Sequence, residues 1–147
     1  MAELSHNLPS AEDRPGCDLV IWDGQCNFCL AQVKRLHQLD SGRLAYISLH
    51  NPRVAELAPS LDFDQLMSQM WVVSADGEKL GGVLHGGADA IRYLSRKLPW
   101  LWLAMPMLHI PGTAPLWRWA YNQVAKRRYK IAGKNCDDGG TCHLHNR

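Results

Sequence analysis

The constraint that most limits this chain is a change of hydrophobic period within twenty residues. Cys17 to Trp22, CDLVIW, is a short apolar run bounded by Pro15-Gly16 and Asp23-Gly24, the pattern of a buried strand. From Cys26 the spacing turns helical: Cys29, Val33 and Leu36 fall four and three apart, with Leu30 and His37 alongside, until Ser41-Gly42 stops the run. Arg43 to Leu49, RLAYISL, then reads as a second strand covered on both faces. Two strands joined by a helical crossover are parallel, and the connection is right-handed.

The remainder extends this unit. Residues 51–69 carry the breakers Pro52 and Pro59 and predict one or two short helices. Met70 to Ala75, MWVVSA, predicts a third strand, and Asp76-Gly77 a two-residue hairpin connection to an antiparallel fourth at Lys79 to Leu84. Gly86-Gly87 opens a helix with Ala90, Ile91 and Leu94 inside and Arg92, Arg96 and Lys97 outside, ending at Pro99. The order β-α-β-α-β-β-α is an α/β, thioredoxin-like order. A C-terminal helical extension follows, with a Trp-rich segment at 99–111 and a helix from about Thr113 to Ile131 ended by Gly133. A length of 147 residues fits one domain. The expected parts are a disordered leader at 1–16, a core at 17–98, the extension at 99–133 and a flexible Cys/His-containing tail at 134–147.

Composition bears mainly on compartment. Hydrophobic residues at 46% and charged residues at 20% exclude a disordered, collagen-like or repeat protein. Five cysteines, an odd number without dense spacing, argue against a secreted disulfide scaffold and for redox or metal chemistry in the cytoplasm. The N-terminus lacks the basic start and apolar stretch of a signal peptide. Leu98 to Gly112 is apolar but interrupted by Pro99, Pro106 and Pro111, and is shorter than the ~20 residues that cross a bilayer.

The net charge of +2 is unevenly distributed: residues 99–134 hold six Lys/Arg and no Asp/Glu, whereas residues 1–98 hold nine against twelve. The run Lys126, Arg127, Arg128 with Lys130 and Lys134 reads first as a solvated helix face. No zinc-finger, RNA-recognition or helix-turn-helix pattern points to specific nucleic-acid binding. Trp100, Trp102, Trp117 and Trp119 with Met105 and Met107 read as packing for the last helix, the alternative being peripheral membrane or protein contact through residues 99–134.

The chemistry centres on DGQCNFC, Asp23 to Cys29, which sets two cysteines three apart at the junction of strand and helix. Helix N–H groups and the dipole at that end favour a thiolate and lower a thiol from its usual ~8.5. Cys26 is the candidate nucleophile. Cys29, one turn deeper and expected to be the less exposed, is the candidate resolving thiol. The alternative is half of a zinc site completed by Cys136, Cys142 and His143, with His145 nearby in the pattern C-x5-C-H-x-H. Asp23 could accept N–H bonds from residue 25 or 26, or handle protons during exchange, although its charge would raise the Cys26 pKa. An aspartyl-phosphatase reading fails because Gln25 stands where a second Asp is needed.

LVIWDGQCNFC resembles the signature of the DCC family of thiol-disulfide oxidoreductases, named for the residues that are here Asp23, Cys26 and Cys29. The likeness extends to Gly87, Ala88, Asp89 and Ala90 at a helix start, and to Pro111, Tyr121, Arg128-Tyr129, Gly133 and Cys136, covering about residues 17–136. It implies a thioredoxin-like fold and disulfide exchange. One departure is that thioredoxin relatives place a cis-proline before the third strand, whereas Ser68-Gln69-Met70 stands there. This favours a specialised partner over general thioredoxin-type substrates.

Cys17 reads as a structural thiol, and His85 with Asp89 as a helix cap rather than an anion site. Cys136 and Cys142 could instead pair with each other or pass electrons to Cys26 and Cys29. The expected protein is an oxidoreductase whose only redox group is its own disulfide, with zinc as the alternative. It would act on a protein or small-molecule disulfide and draw on an electron donor that the sequence leaves unidentified.

Overall fold

The computed structural model describes residues 8–75, 82–103 and 105–132. Strand β1 (Asp18–Trp22) is buried along its whole length. It pairs in parallel with β2 (Leu44–Ser48) and antiparallel with β3 (Trp71–Val73), which pairs antiparallel with β4 (Leu84–Gly86). The sheet order is β2-β1-β3-β4, with α1 (Asn27–Leu39) crossing between the parallel pair. This is a thioredoxin-like α/β arrangement.

The period-two pleat divides the apolar residues between two cores. Val20, Trp22, Leu44, Tyr46 and Val72 meet Val33 of α1 and Ala90, Leu94 and Leu98 from α4 (Gly87–Lys97) and its end. Ile21 on the opposite face meets Leu49, Val54, Ala58 and Leu66, carried by α2 (Val54–Leu57), α3 (Phe63–Ser68) and their flanks. Cover on both faces is why β1 is an unbroken apolar run.

The first helix stops as expected, with Ser41 (φ 51°) and Gly42 (φ 80°) both left-handed. Asp40, at that stop, is buried. Burial raises its carboxyl, but bonds from Tyr46, Gly42 and His37 and the charge of Arg14 hold it below the usual range.

Two expectations require correction. The fourth strand is Leu84–Gly86 rather than Lys79 to Leu84, because Val73 pairs with Leu84 and a turn at Asp76-Gly77 would instead set Ala75 opposite Glu78. The observed register carries Leu84 onto the Ile21 core. Residues 76–81 lie outside the described residues. The leader also departs from disorder over residues 8–16, where the Pro9 carbonyl accepts from Tyr46 N–H (2.9 Å), Arg14 bonds Asp40 (3.1 Å), and Leu8 packs against the core.

Beyond α4 come a 3-10 turn (Pro99–Leu103), α5 (Met105–Leu108) and α6 (Ala114–Ala132), which lies against α1 and α4. Gly133 and the tail lie outside the described residues.

Candidate active site

The site forms where the parallel strands end. After β1, Asp23 turns the chain, and its Oδ1 accepts from Gln25 N–H (3.0 Å), the turn-fixing bond expected of it. Cys26 follows as the N-cap of α1 in extended geometry (φ −103°, ψ 113°), and its Sγ accepts from the N–H of Cys29 (3.3 Å). A sulfur thus occupies the place usually taken by a Ser or Asp oxygen, where the unpaired N–H groups of a helix favour negative charge.

The two thiols are unlike. The Cys26 pKa is lowered to about 7, chiefly because the Cys29 thiol donates to it. Burial opposes the shift, while the Cys29 N–H and the Arg128 charge support it and Asp23 works against it. Cys29 is pushed up, since its proton is shared with Cys26 and its site is dry. Exposure differs from expectation: Cys26 is 0% exposed and Cys29 only half-buried. The N-cap position folds the Cys26 sulfur against the first turn, whereas Cys29 faces α6.

Two further residues complete the cluster. Asp23, 1% exposed in its side chain, accepts at Oδ1 from His50 Nε2 (3.1 Å) and lies 3.7 Å from the Arg128 guanidinium at Oδ2. His50 follows β2, and the register Trp22↔Ser48 brings it beside the turn after β1. Its only signal in the sequence was that parallel adjacency. Arg128 corrects the reading of the basic run as solvated: it is 6% exposed and also donates to the Met67 carbonyl. The spacing Trp117, Tyr121, Arg128, four and seven apart, places it on the inward side of α6, a pattern visible in the sequence but obscured by its cationic neighbours.

Tyr121 of the same side engages the position before β3, where the sequence has no proline. Its hydroxyl accepts from Met70 N–H (2.9 Å), and the Met70 carbonyl accepts from Gly87 N–H (2.9 Å). Among the described residues there is no cis peptide bond. Both main-chain groups of the residue before β3 are therefore engaged within the chain. Glycine is favoured at position 87, because its φ is +55° and a Cβ would lie 3.1 Å from the packed Tyr121 ring. Tyr121→Phe is expected to leave the Met70 N–H unsatisfied and to cost about 1–3 kcal/mol, read as a lowered midpoint in urea unfolding.

A cavity of about 660 Å3 separates α1, α4 and α6, with Cys29, Phe28, Ile91, Trp117 and Val124 among its walls. Asp23 and Arg128 stand at its polar end.

A family model described as DCC1-like thiol-disulfide oxidoreductase matches residues 20–134. The chain belongs to this DCC1-like family. No curated protein and no solved structure matches the chain. The family span begins within β1 and extends through α6, so it includes Asp23, Cys26 and Cys29 together with His50, Tyr121 and Arg128. The oxidoreductase name and the Cys-X-X-Cys pair thus coincide in one place.

Other sequence candidates are elsewhere. Cys17 sits at the far end of β1, its sulfur 3.7 Å from the Gly42 carbonyl. His85 stacks on Tyr93 (ring centroids 4.2 Å apart), Asp89 pairs with Arg118 (2.9 Å), and α4 has no side-chain cap, so neither residue is the expected cap. Among the described residues no three His, Cys, Asp or Glu side chains gather as a metal site. Cys136, Cys142, His143 and His145 lie outside the described residues.

Proposed function

We propose that the chain exchanges disulfides through Cys26 and Cys29. The observation that carries this reading is a sulfur at a helix N-cap whose pKa is lowered to about 7 by the partner it would later pair with. The Cys26 thiolate attacks a substrate disulfide, forming a mixed disulfide and releasing one substrate thiolate. Cys29 then loses its proton and attacks the Cys26 sulfur, releasing the second substrate thiol and leaving the Cys26–Cys29 disulfide. Two electrons pass to the substrate, and an external dithiol or equivalent reductant returns them. Because Cys26 has no exposed surface, attack proceeds from a locally opened form of the first turn of α1.

Asp23 is the proton-handling group in this scheme. Its buried carboxylate raises both thiols electrostatically, and His50, at the surface, links it toward solvent. The substrate is a disulfide other than an extended peptide held by the Met70 main chain, since Tyr121 and Gly87 already occupy those groups. A reducing compartment such as the cytoplasm would keep the pair as a dithiol.

The test is a redox titration in glutathione buffers with alkylation and peptide mapping. Cys26 and Cys29 are expected to lose their free thiols together in one two-electron step, at a potential between about −270 and −120 mV. If both remain alkylatable in oxidising buffer, the proposal fails. Elemental analysis of the same preparation, showing about one tightly bound zinc per chain, would replace it by a metal module using Cys26, Cys29, Cys136, Cys142 or His143.

A further inference from the structure

The C-terminal extension has an inner and an outer side of opposite character. Leu98, fully buried, and Leu101 and Leu108, on the cavity wall, anchor the segment to the body. The residues between them point away from it: Trp100 is 66% exposed, Trp102 58% and Leu103 89%. Met107, Ile110, Leu116 and Trp119 continue the exposed apolar series. The expectation that the tryptophans pack the last helix therefore holds only for half-buried Trp117. Among the described residues, seven of the ten exposed large apolar side chains lie between Trp100 and Trp119, so this is a concentrated face and not the usual scatter.

Charge identifies what covers it. Residues 99–134 contain no Asp or Glu, while Lys126, Arg127 and Lys130 are exposed on α6 and Arg96 is exposed at the end of α4. Tryptophan and leucine beside lysine and arginine is the composition that settles at the boundary of headgroups and acyl chains, with the rings at headgroup level and the cations on anionic phosphates. No helix among the described residues is long and apolar enough to span a bilayer, so such contact would be peripheral. A nucleic acid would give no use to Leu103, Met107, Ile110 and Leu116, which cannot stack on bases as aromatic rings do.

We infer that this face, built from the Pro99–Leu103 turn, α5 and the outer side of α6, docks on the surface of an anionic lipid bilayer. Apolar side chains enter the interfacial layer and Lys126, Arg127 and Lys130 of α6 neutralise headgroups. Docking turns the segment's outer side to the lipid, while its inner side remains a wall of the cavity beside Cys29. The inference stands apart from the exchange chemistry, because it rests on no residue of the thiol cluster.

The full chain is mixed with vesicles of phosphatidylcholine containing phosphatidylserine, and separately with vesicles of phosphatidylcholine alone. Sedimentation and tryptophan fluorescence are the readouts. The expected result is binding to the anionic vesicles with a blue shift, weakening as salt is raised. Trp100→Ala/Trp102→Ala/Leu103→Ala is expected to lower the apparent affinity by about tenfold or more. Lys126→Gln/Arg127→Gln is expected to lower it while also flattening the salt dependence. All five positions are solvent-facing, and circular dichroism confirms that the variants fold. Absence of binding, equal binding to both vesicle types, or an unchanged affinity in the triple variant overturns the inference. So does a concentration-dependent dimer that buries the tryptophans without lipid, or retention on RNA in place of vesicles.

Discussion

Cys26→Ser is expected to lower the rate of insulin or small-disulfide reduction by about 100-fold or more, because a serine hydroxyl cannot replace a thiolate as nucleophile. Cys29→Ser should differ in kind: Cys26 still attacks, but no second sulfur releases it, and a mixed disulfide accumulates that mass spectrometry detects. The pH profile carries the mechanism further. A thiol is an acid, so Cys26 alkylation by iodoacetamide should be slow below its pKa, rise through a midpoint of about 7 and flatten above it. The Cys29 thiol is the largest lowering influence, and Cys29→Ala should move the midpoint upward. A wild-type midpoint near that of a free thiol, ~8.5, would remove the basis for the proposal, as would wild-type exchange by Cys26→Ser.

Arg128→Met is expected to be the most destabilising substitution on α6. It keeps an apolar stem on the inward side of the helix but removes the cation 3.7 Å from Asp23, whose carboxylate is 1% exposed. Removing one partner of a buried pair costs about 3–5 kcal/mol, and at the lower end this is a fall in Tm of roughly 10 °C for a domain of this size. The thiols report it separately. With the Arg128 charge gone and Asp23 still present, the midpoint for Cys26 alkylation should rise. Asp23→Asn/Arg128→Met should recover much of the lost stability, because neither charge then remains. An unchanged Tm in Arg128→Met would show that the pair contributes nothing, and an unchanged alkylation midpoint would remove Arg128 from the electrostatics of the site.

What was legible in the chain were the features that local physics determines. CDLVIW, the four-and-three spacing from Cys26 and the Ser41-Gly42 stop all lie within a turn or two of their causes, and each matches the structure to within about a residue. The Asp23 turn, one of the two roles weighed for that residue, was legible for the same reason, since its partner Gln25 is two residues away, whereas the pair was placed only at the start of the helix and the N-cap role of Cys26 came from the structure. β4 was misplaced because the Asp-Gly pair was read as a two-residue connection, whereas the pairing Val73↔Leu84 sets a longer one between the strands.

The site beyond the cysteines depends on contacts that cross the chain. His50 reaches Asp23 only because two strands align in parallel, and Arg128 reaches it only because α6 lies against α1 and α4. Arg128 sits in a row of cations, and composition cannot distinguish the one that enters the core from those that face water. The same holds for the tryptophans, where apolar content alone suggested burial and the prolines and anchors of the 99–108 segment left Trp100 and Trp102 outside. By itself the sequence determined the strand-to-helix junction that puts a thiol at a helix N-terminus, because hydrophobic period and capping act over a few residues. Only the tertiary structure decided which thiol is the more exposed, which charges accompany the pair and which apolar side chains remain uncovered, because burial and pairing are properties of surfaces brought together from distant parts of the chain.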